Sequence, residues 1–131
     1  MFKEKEHTAD LALEVEAESM ESLFSESARG MFYLMYGKIK NKKKVKFNID
    51  LDSFSNENLL VDFLNELLYL NETRDFILSS PSIKIKNNSL NANLYGYTGK
   101  EKKISIKAAT YHNLKITKRE NLHRTQITFD V

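Results

Sequence analysis

The chain has 131 residues with 41% hydrophobic and 29% charged side chains, one proline and four glycines. That is the composition of one folded domain spanning 1–131, too apolar for disorder and too short for two domains. It contains no cysteine, which excludes disulfides, thiolate metal sites, iron–sulfur clusters and cysteine nucleophiles, so any metal must rest on oxygen ligands or on three histidines.

In chain order, Leu11, Leu13, Val15 and Ala17 share one face of a first strand whose other face holds Ala12, Glu14 and Glu16, the period of a half-buried strand. Ser19 is placed to N-cap a helix that runs to Tyr36 and stops at Gly37. Leu23, Phe24, Ala28, Met31, Phe32, Leu34 and Met35 cover about half of its wheel. Residues 38–46 hold six lysines and lead into a strand with Val45, Phe47, Ile49 and Leu51 on one face. Such a run can grip phosphates or guard a strand edge against pairing with other chains, and without interleaved aromatics the guard is the simpler reading. Ser55 can cap a second helix through about Glu72. Its residues Leu59, Leu60, Val61, Phe63, Leu64, Leu67, Leu68 and Leu70 span roughly 200° of the wheel, leaving a polar arc of Asp62, Asn65, Glu66 and Tyr69. A helix with so wide an apolar arc must be covered on more than one side.

Five or six short strands follow, near 76–79, 82–86, 90–97, 102–107, 113–118 and 123–130. Turns are expected at Ser80 and Pro81, Asn87 and Asn88, Tyr97 to Lys100, and Glu120 and Asn121. The pattern predicts an α+β fold, a layered β/α/β sandwich with both helices between strand layers. Phe24, Phe32, Leu60, Leu64 and Leu67 are expected among its most enclosed side chains.

Charge is unevenly spread: net −5 over 1–37, zero over 38–81 and +7 over 82–131. The two ends can attract each other within one fold or form a polarised partner surface. No apolar run reaches the ~20 residues of a membrane-spanning helix, and the amino-terminal residues lack the apolar stretch of a secretory signal, which makes cytoplasm the expected location.

Familiar catalytic patterns are missing. Tyr95-Gly96-Tyr97-Thr98-Gly99 fits neither a phosphate loop nor a dinucleotide fingerprint and reads as a hairpin turn. Asp50 and Asp52 read as a solvated strand face, and the four methionines mostly as helix core. Polar residues set against the hydrophobic pattern occur at both ends. Asp10, before the first strand, could end a strand, cap a turn or hold a ligand. The last strand, with Ile127, Phe129 and Val131 alternating with Thr128 and Asp130, brings the Asp130 carboxylate beside the α-carboxylate of Val131, two anions that call for a cation or a basic partner. All-oxygen donors favour a hard divalent ion over Zn²⁺. His7, His112 and His123 lack a helical zinc spacing, and His112 is singled out by Tyr111 and the basic last third around it.

Four segments together resemble the archease family: His7-Thr8-Ala9-Asp10; Leu60-Val61-Asp62-Phe63-Leu64-Asn65-Glu66-Leu67-Leu68-Tyr69; Lys107-Ala108-Ala109-Thr110-Tyr111-His112-Asn113-Leu114; and Phe129-Asp130-Val131. The family often has Trp at the place of Phe63 and Gly at that of Asn113. The resemblance implies a layered sandwich and a non-enzymatic protein cofactor of an RtcB-class RNA ligase, reaching RNA only through the ligase. Such a cofactor promotes the ligase's guanylylation and multiple turnover in tRNA splicing or RNA repair. It further implies a divalent metal, Ca²⁺ before Mg²⁺ or Mn²⁺, held by Asp10, Asp130 and Val131. His7, Tyr111 and His112 are then candidates for contact with the partner. The competing readings are a metal-dependent phosphoester hydrolase, with Asp10 and Asp130 activating water, and a small RNA-binding or chaperone-like module stacking bases on Tyr95, Tyr97 and Tyr111.

Overall fold

A computed structural model of the chain describes residues 1–6 and 10–131. The elements are β1 (Phe2–Glu6), β2 (Leu11–Ala17), α1 (Met20–Tyr36), β3 (Val45–Asp52), α2 (Asn56–Arg74), β4 (Phe76–Lys86), β5 (Ser89–Thr98), β6 (Ala108–Ala109), β7 (Thr117–Arg119) and β8 (Leu122–Asp130). Both helices begin where their caps require. Ser19 and Ser55 are extended, and their hydroxyls accept from the amides of Ser22 and Asn58 at 3.0 and 3.1 Å, satisfying donors with no partner inside the helix. Gly37 at φ 77° ends α1, and Asp75 in the left-handed region ends α2, whose last residue, Arg74, lies two beyond the expected Glu72.

One antiparallel sheet runs β1-β2-β8, with β6 and β7 both on the far edge of β8; the other runs β3-β5-β4. Each helix touches both sheets: α1 packs on β2 and β4, and α2 on β6 and on β3, β4 and β5. The wide apolar arcs are thereby explained, since each helix is covered from two directions. Phe24, Phe32, Leu60, Leu64 and Leu67 are fully buried, and the Phe24 and Phe63 rings meet at 5.9 Å where the helices touch. The second sheet turns an unburied face to water, on which Asn91 donates to Asp50 at 2.7 Å and Ser89 to Asp52, so that aspartate pair is a solvated face. Met31 and Met35 lie in the core, Met20 is half-buried and Met1 is exposed.

Several expectations are corrected. Ser80 and Pro81 form no turn, because β4 runs through them with a register shift between Leu78 and Ser80. The Tyr95 to Gly99 segment is no hairpin turn either. Gly96 lies inside β5, where a Cβ would overlap the Ile77 carbonyl oxygen and stand 2.7 Å from Phe76 Cε1. That glycine marks the close approach of two backbones at the irregular stretch of β4.

Residues 102–107 form no strand, despite their alternation, since the amide of Lys103 donates to the Met35 carbonyl at 2.7 Å and satisfies an orphan acceptor at the end of α1. Of 113–118 only the end pairs, in β7. Asn113 takes φ 52° in a turn that Leu114 N–H closes onto Tyr111 O at 3.2 Å. β1 was not expected, because its alternating charges hide a single apolar anchor, Phe2, whose ring lies 5.6 Å from that of Tyr33.

The close contact at Gly96 is the more brittle of two core features. Gly96→Ala should destabilise by about 3 kcal/mol, since backbone cannot step aside as a side chain would, and Leu64→Ala by ~2 to 5 kcal/mol through the cavity it leaves. Urea denaturation followed by circular dichroism measures both; a Gly96→Ala protein as stable as its parent would show that β4 can move away.

Candidate functional site

The strand register gathers residues that are far apart in sequence. Leu11 pairs with Phe129 in the β2–β8 ladder, so Asp10 and Asp130 are the two residues that flank its last pair. On the other side of β8, Ala108 pairs with Asp130, and Lys107 N–H donates to the Asp130 carbonyl at 2.8 Å. Ala108 and Asp130 are thus paired just beyond the end of the ladder that Asp10 adjoins, with Val131, 47% exposed, next along. Thr110 N–H donates to Thr128 O at 2.9 Å, and its buried Oγ1 has no partner among the described residues.

Among the described residues no three His, Asp or Glu side chains converge as a metal nest. Two aspartates would therefore need the α-carboxylate of Val131 as a third donor. That all-oxygen set suits a hard cation. His7 lies outside the described residues.

Residues 108–116 run along the polar arc of α2, which holds them by side-chain bonds. Asn65 Oδ1 accepts from Ala109 N–H at 2.8 Å while Asn65 Nδ2 donates to Ala109 O at 3.1 Å. Glu57 accepts from Ile116 N–H at 3.2 Å. Asp62 accepts from the Tyr111 hydroxyl on one oxygen and from Ser53 Oγ, at 2.6 Å, on the other. Two loops consequently meet at Asp62, and beside that junction Phe54 is 87% exposed and Tyr111 52%. His112 is exposed too, its Nε2 3.2 Å from Asn113 Nδ2.

Sequence reasoning singled out Tyr111 and His112 but not the groups that position them, Glu57, Asp62 and Asn65. Their signal was available as polar residues on an otherwise apolar helix. Its meaning was not, because their partners lie 44 to 59 residues away. His123, by contrast, lies in β8 opposite Ala17, at the far end of the ladder from Asp130.

The bond to the Asp62 carboxylate, then partial burial, then repulsion by the same charge push the Tyr111 hydroxyl from its ordinary 10 up to about 12. A raised folded value means that the contribution of this contact to stability is whole below about pH 10 and disappears as pH rises through about 12. Ultraviolet titration of tyrosinate should accordingly contain a late component, near pH 12, that is missing from Tyr111→Phe. If the variant and the parent titrate alike, the Tyr111–Asp62 bond does not persist in solution.

Comparison with known proteins places this arrangement in a family. The model of the Archease protein family (MTH1598/TM1083) matches residues 2–131. The protein archease of Pyrococcus furiosus is 32% identical over 85% of this chain and 84% of its own length. That of Saccharolobus islandicus is 32% identical over 99% and 98%. Among solved structures, the Methanobacterium thermoautotrophicum protein 1598 aligns with a TM-score of 0.77 at 23% identity, over 99% of this chain and 98% of that one, a likeness of fold. The Thermotoga maritima protein, described as an archease and possible chaperone, aligns with a TM-score of 0.69 at 27% identity, over 98% and 96%. No helix among the described residues is long and apolar enough to cross a membrane. With the family model covering the chain almost from end to end and full-length relatives about a third identical, this chain belongs to the archease family.

Proposed function

We propose that this chain is a cytoplasmic, metal-binding protein cofactor of an RtcB-class RNA ligase, promoting the ligase's guanylylation and repeated turnover rather than catalysing a reaction itself. The observation that supports the reading is the β2–β8 register, whose last pair, Leu11 with Phe129, is flanked by Asp10 and Asp130. Asp10, Asp130 and the α-carboxylate of Val131 would hold the ion, with Ca²⁺ the best match to an all-oxygen set and Mg²⁺ or Mn²⁺ as alternatives. The ion's contribution would be to neutralise clustered carboxylates and fix the strand ends.

The chain's own residues do the rest. Ala108, paired with Asp130, begins the segment that ends in Tyr111 and His112. Asn65, Asp62 and Glu57 hold that segment against α2. A partner meeting Phe54, Tyr111 and His112 would therefore meet a prearranged surface. A modulator acts only if it binds one conformer of its partner more tightly than another, and a fixed surface can make that distinction better than a mobile one.

The hydrolase reading is less favoured, because if Asp10 and Asp130 are used to hold the metal, no third His, Asp or Glu joins them among the described residues to serve as a general base. Calorimetry should register divalent-metal binding that Asp10→Ala or Asp130→Ala weakens by at least the roughly 10- to 100-fold that losing even an outer-shell support costs a metal site. Adding residues after Val131 should weaken it as well, by turning the terminal carboxylate into an amide. With purified ligase, GTP and broken RNA, the same two variants should lose stimulation of guanylylation and of multiple-turnover ligation while keeping the parent's circular dichroism spectrum. Undiminished stimulation by both variants would remove the metal from the mechanism, and phosphoester hydrolysis by the parent alone would overturn the cofactor reading.

A further inference from the structure

The six lysines between 38 and 46 take no part in the site above, and the fold does not treat them as a loose tail. The main chain of 38–44 is fastened at four points. Lys40 N–H donates to the Tyr97 hydroxyl at 3.1 Å, Lys42 N–H to Ser79 Oγ at 2.9 Å, Ser79 Oγ to the Lys40 carbonyl, and Lys44 N–H to the Gly96 carbonyl at 2.8 Å. Every anchor uses the backbone of the loop, so none needs an ammonium group. All six lysines are exposed, and none forms an ion pair among the described residues. Guarding the edge strand β3 would need only a charge or two on the strand itself.

The aromatic groups missing from the lysine run in sequence are supplied by the fold. Tyr95 of β5 has the Lys43 and Lys46 ammonium groups 5.6 and 5.8 Å from its ring centre. Where the loop leaves α1 there is a groove of about 500 Å³ between the loop, α1 and β4, lined by Arg29, Tyr33, Lys38 and Lys40, with Phe2 and Leu78 among its apolar residues. Tyr33 is 48% exposed and is buttressed by the Phe2 ring. No carboxylate lines the groove among the described residues; Glu26 pairs with Arg29 at 2.8 Å and with the amino terminus at 2.9 Å.

Cations without anions select a polyanion, and the neighbouring edge of the sheet decides which kind. An acidic peptide would gain most by adding a strand to β4. There, however, Pro81 has no N–H to offer, the ladder shifts register between Leu78 and Ser80, and the Ser79 hydroxyl is already taken by the lysine loop. A duplex keeps its base faces stacked on one another, whereas a single strand offers both phosphates and a free base face.

We propose that the lysine loop and the groove beside it bind a single-stranded polynucleotide. Lys38 and Lys40 carry phosphates, an unpaired base stacks on Tyr33, and Lys42 to Lys46 continue the backbone track past Tyr95. The site is independent of the metal and of the ligase reading, so either can fail without the other.

Fluorescence anisotropy of the intact protein with a labelled oligouridylate of roughly 15 nucleotides, longer than most single-strand footprints, tests it. Binding should weaken with salt, with a log–log slope of about −3 for four or five phosphates at about −0.7 each. Replacing Lys38, Lys40 and Lys42 by Gln together should cut affinity about tenfold or more and flatten that slope. Tyr33→Ala should cost about tenfold, within the range for losing one stacked base, and Tyr33→Phe, which keeps the ring, should bind like the parent. Thermal melting confirms that the glutamine variant and Tyr33→Phe remain folded.

The proposal is overturned by no binding at about 100 µM protein in low salt, the weak limit of non-specific association. It is overturned equally if a duplex binds as well, or if polyglutamate of matched charge displaces the strand as well as unlabelled oligouridylate does. Binding that ignores the loop lysines but vanishes with Lys115→Gln and Lys118→Gln would also overturn it, by placing the site on the basic last third.

Discussion

A helix that is apolar over more than half of its circumference cannot lie on a surface, and that constraint on α2 organises the molecule. Leu59, Leu60, Val61, Phe63, Leu64 and Leu67 are all fully buried, which is satisfied only if strands cover the helix from two directions. What remains is a narrow polar stripe, and the fold puts it to use. Asp62 and Asn65 leave the core along that stripe and Glu57 from the first turn, and each forms a hydrogen bond with the segment that crosses from β5 to β8. The same geometry that buries the leucines therefore fixes the segment carrying Tyr111 and His112.

Features controlled by near neighbours were legible in the sequence. Ser19, Ser55 and Gly37 mark helix ends through bonds that close within one turn, and Asn87, Asn88, Glu120 and Asn121 mark tight turns through their positive φ. Features controlled by distant groups were hidden. Ile104 and Ile106 alternate as a strand would, yet the preceding amide serves the Met35 carbonyl, a claim that no local pattern announces. Gly96 has the look of a turn residue because its actual reason, the backbone of Ile77, lies about twenty positions earlier in the chain. For the candidate site, the individual residues Tyr111 and His112 could be read directly, and Asp10 and Asp130 came from polar residues at the chain's ends. Their placement at one end of the β2–β8 ladder needed the strand register.

The uneven charge along the chain has two different outcomes. Glu16 of the acidic first third meets Arg124 of the basic last third at 3.0 Å, across directly opposed positions of β2 and β8, so part of the polarity is spent in holding the first sheet together. This pair is open to solvent and contributes well under ~1 kcal/mol, which makes it a matter of register more than of stability. The lysine loop is unlike this: its charge is displayed, not paired, on a backbone whose conformation is fixed by neutral groups.

The carboxamide of Asn65 offers Ala109 a donor and an acceptor side by side, as the main chain of a neighbouring strand would. In effect one side chain of a helix imitates a peptide group and completes the outer edge of a two-residue strand, leaving that stretch less of a template for another molecule to extend. Such mimicry depends on the amide remaining an amide. Hydrolysis of Asn65 to aspartate as the protein ages would keep the acceptor for Ala109 N–H and replace the donor with an anionic oxygen facing the Ala109 carbonyl, so a mass change of a single dalton would loosen the segment between Ala108 and Tyr111.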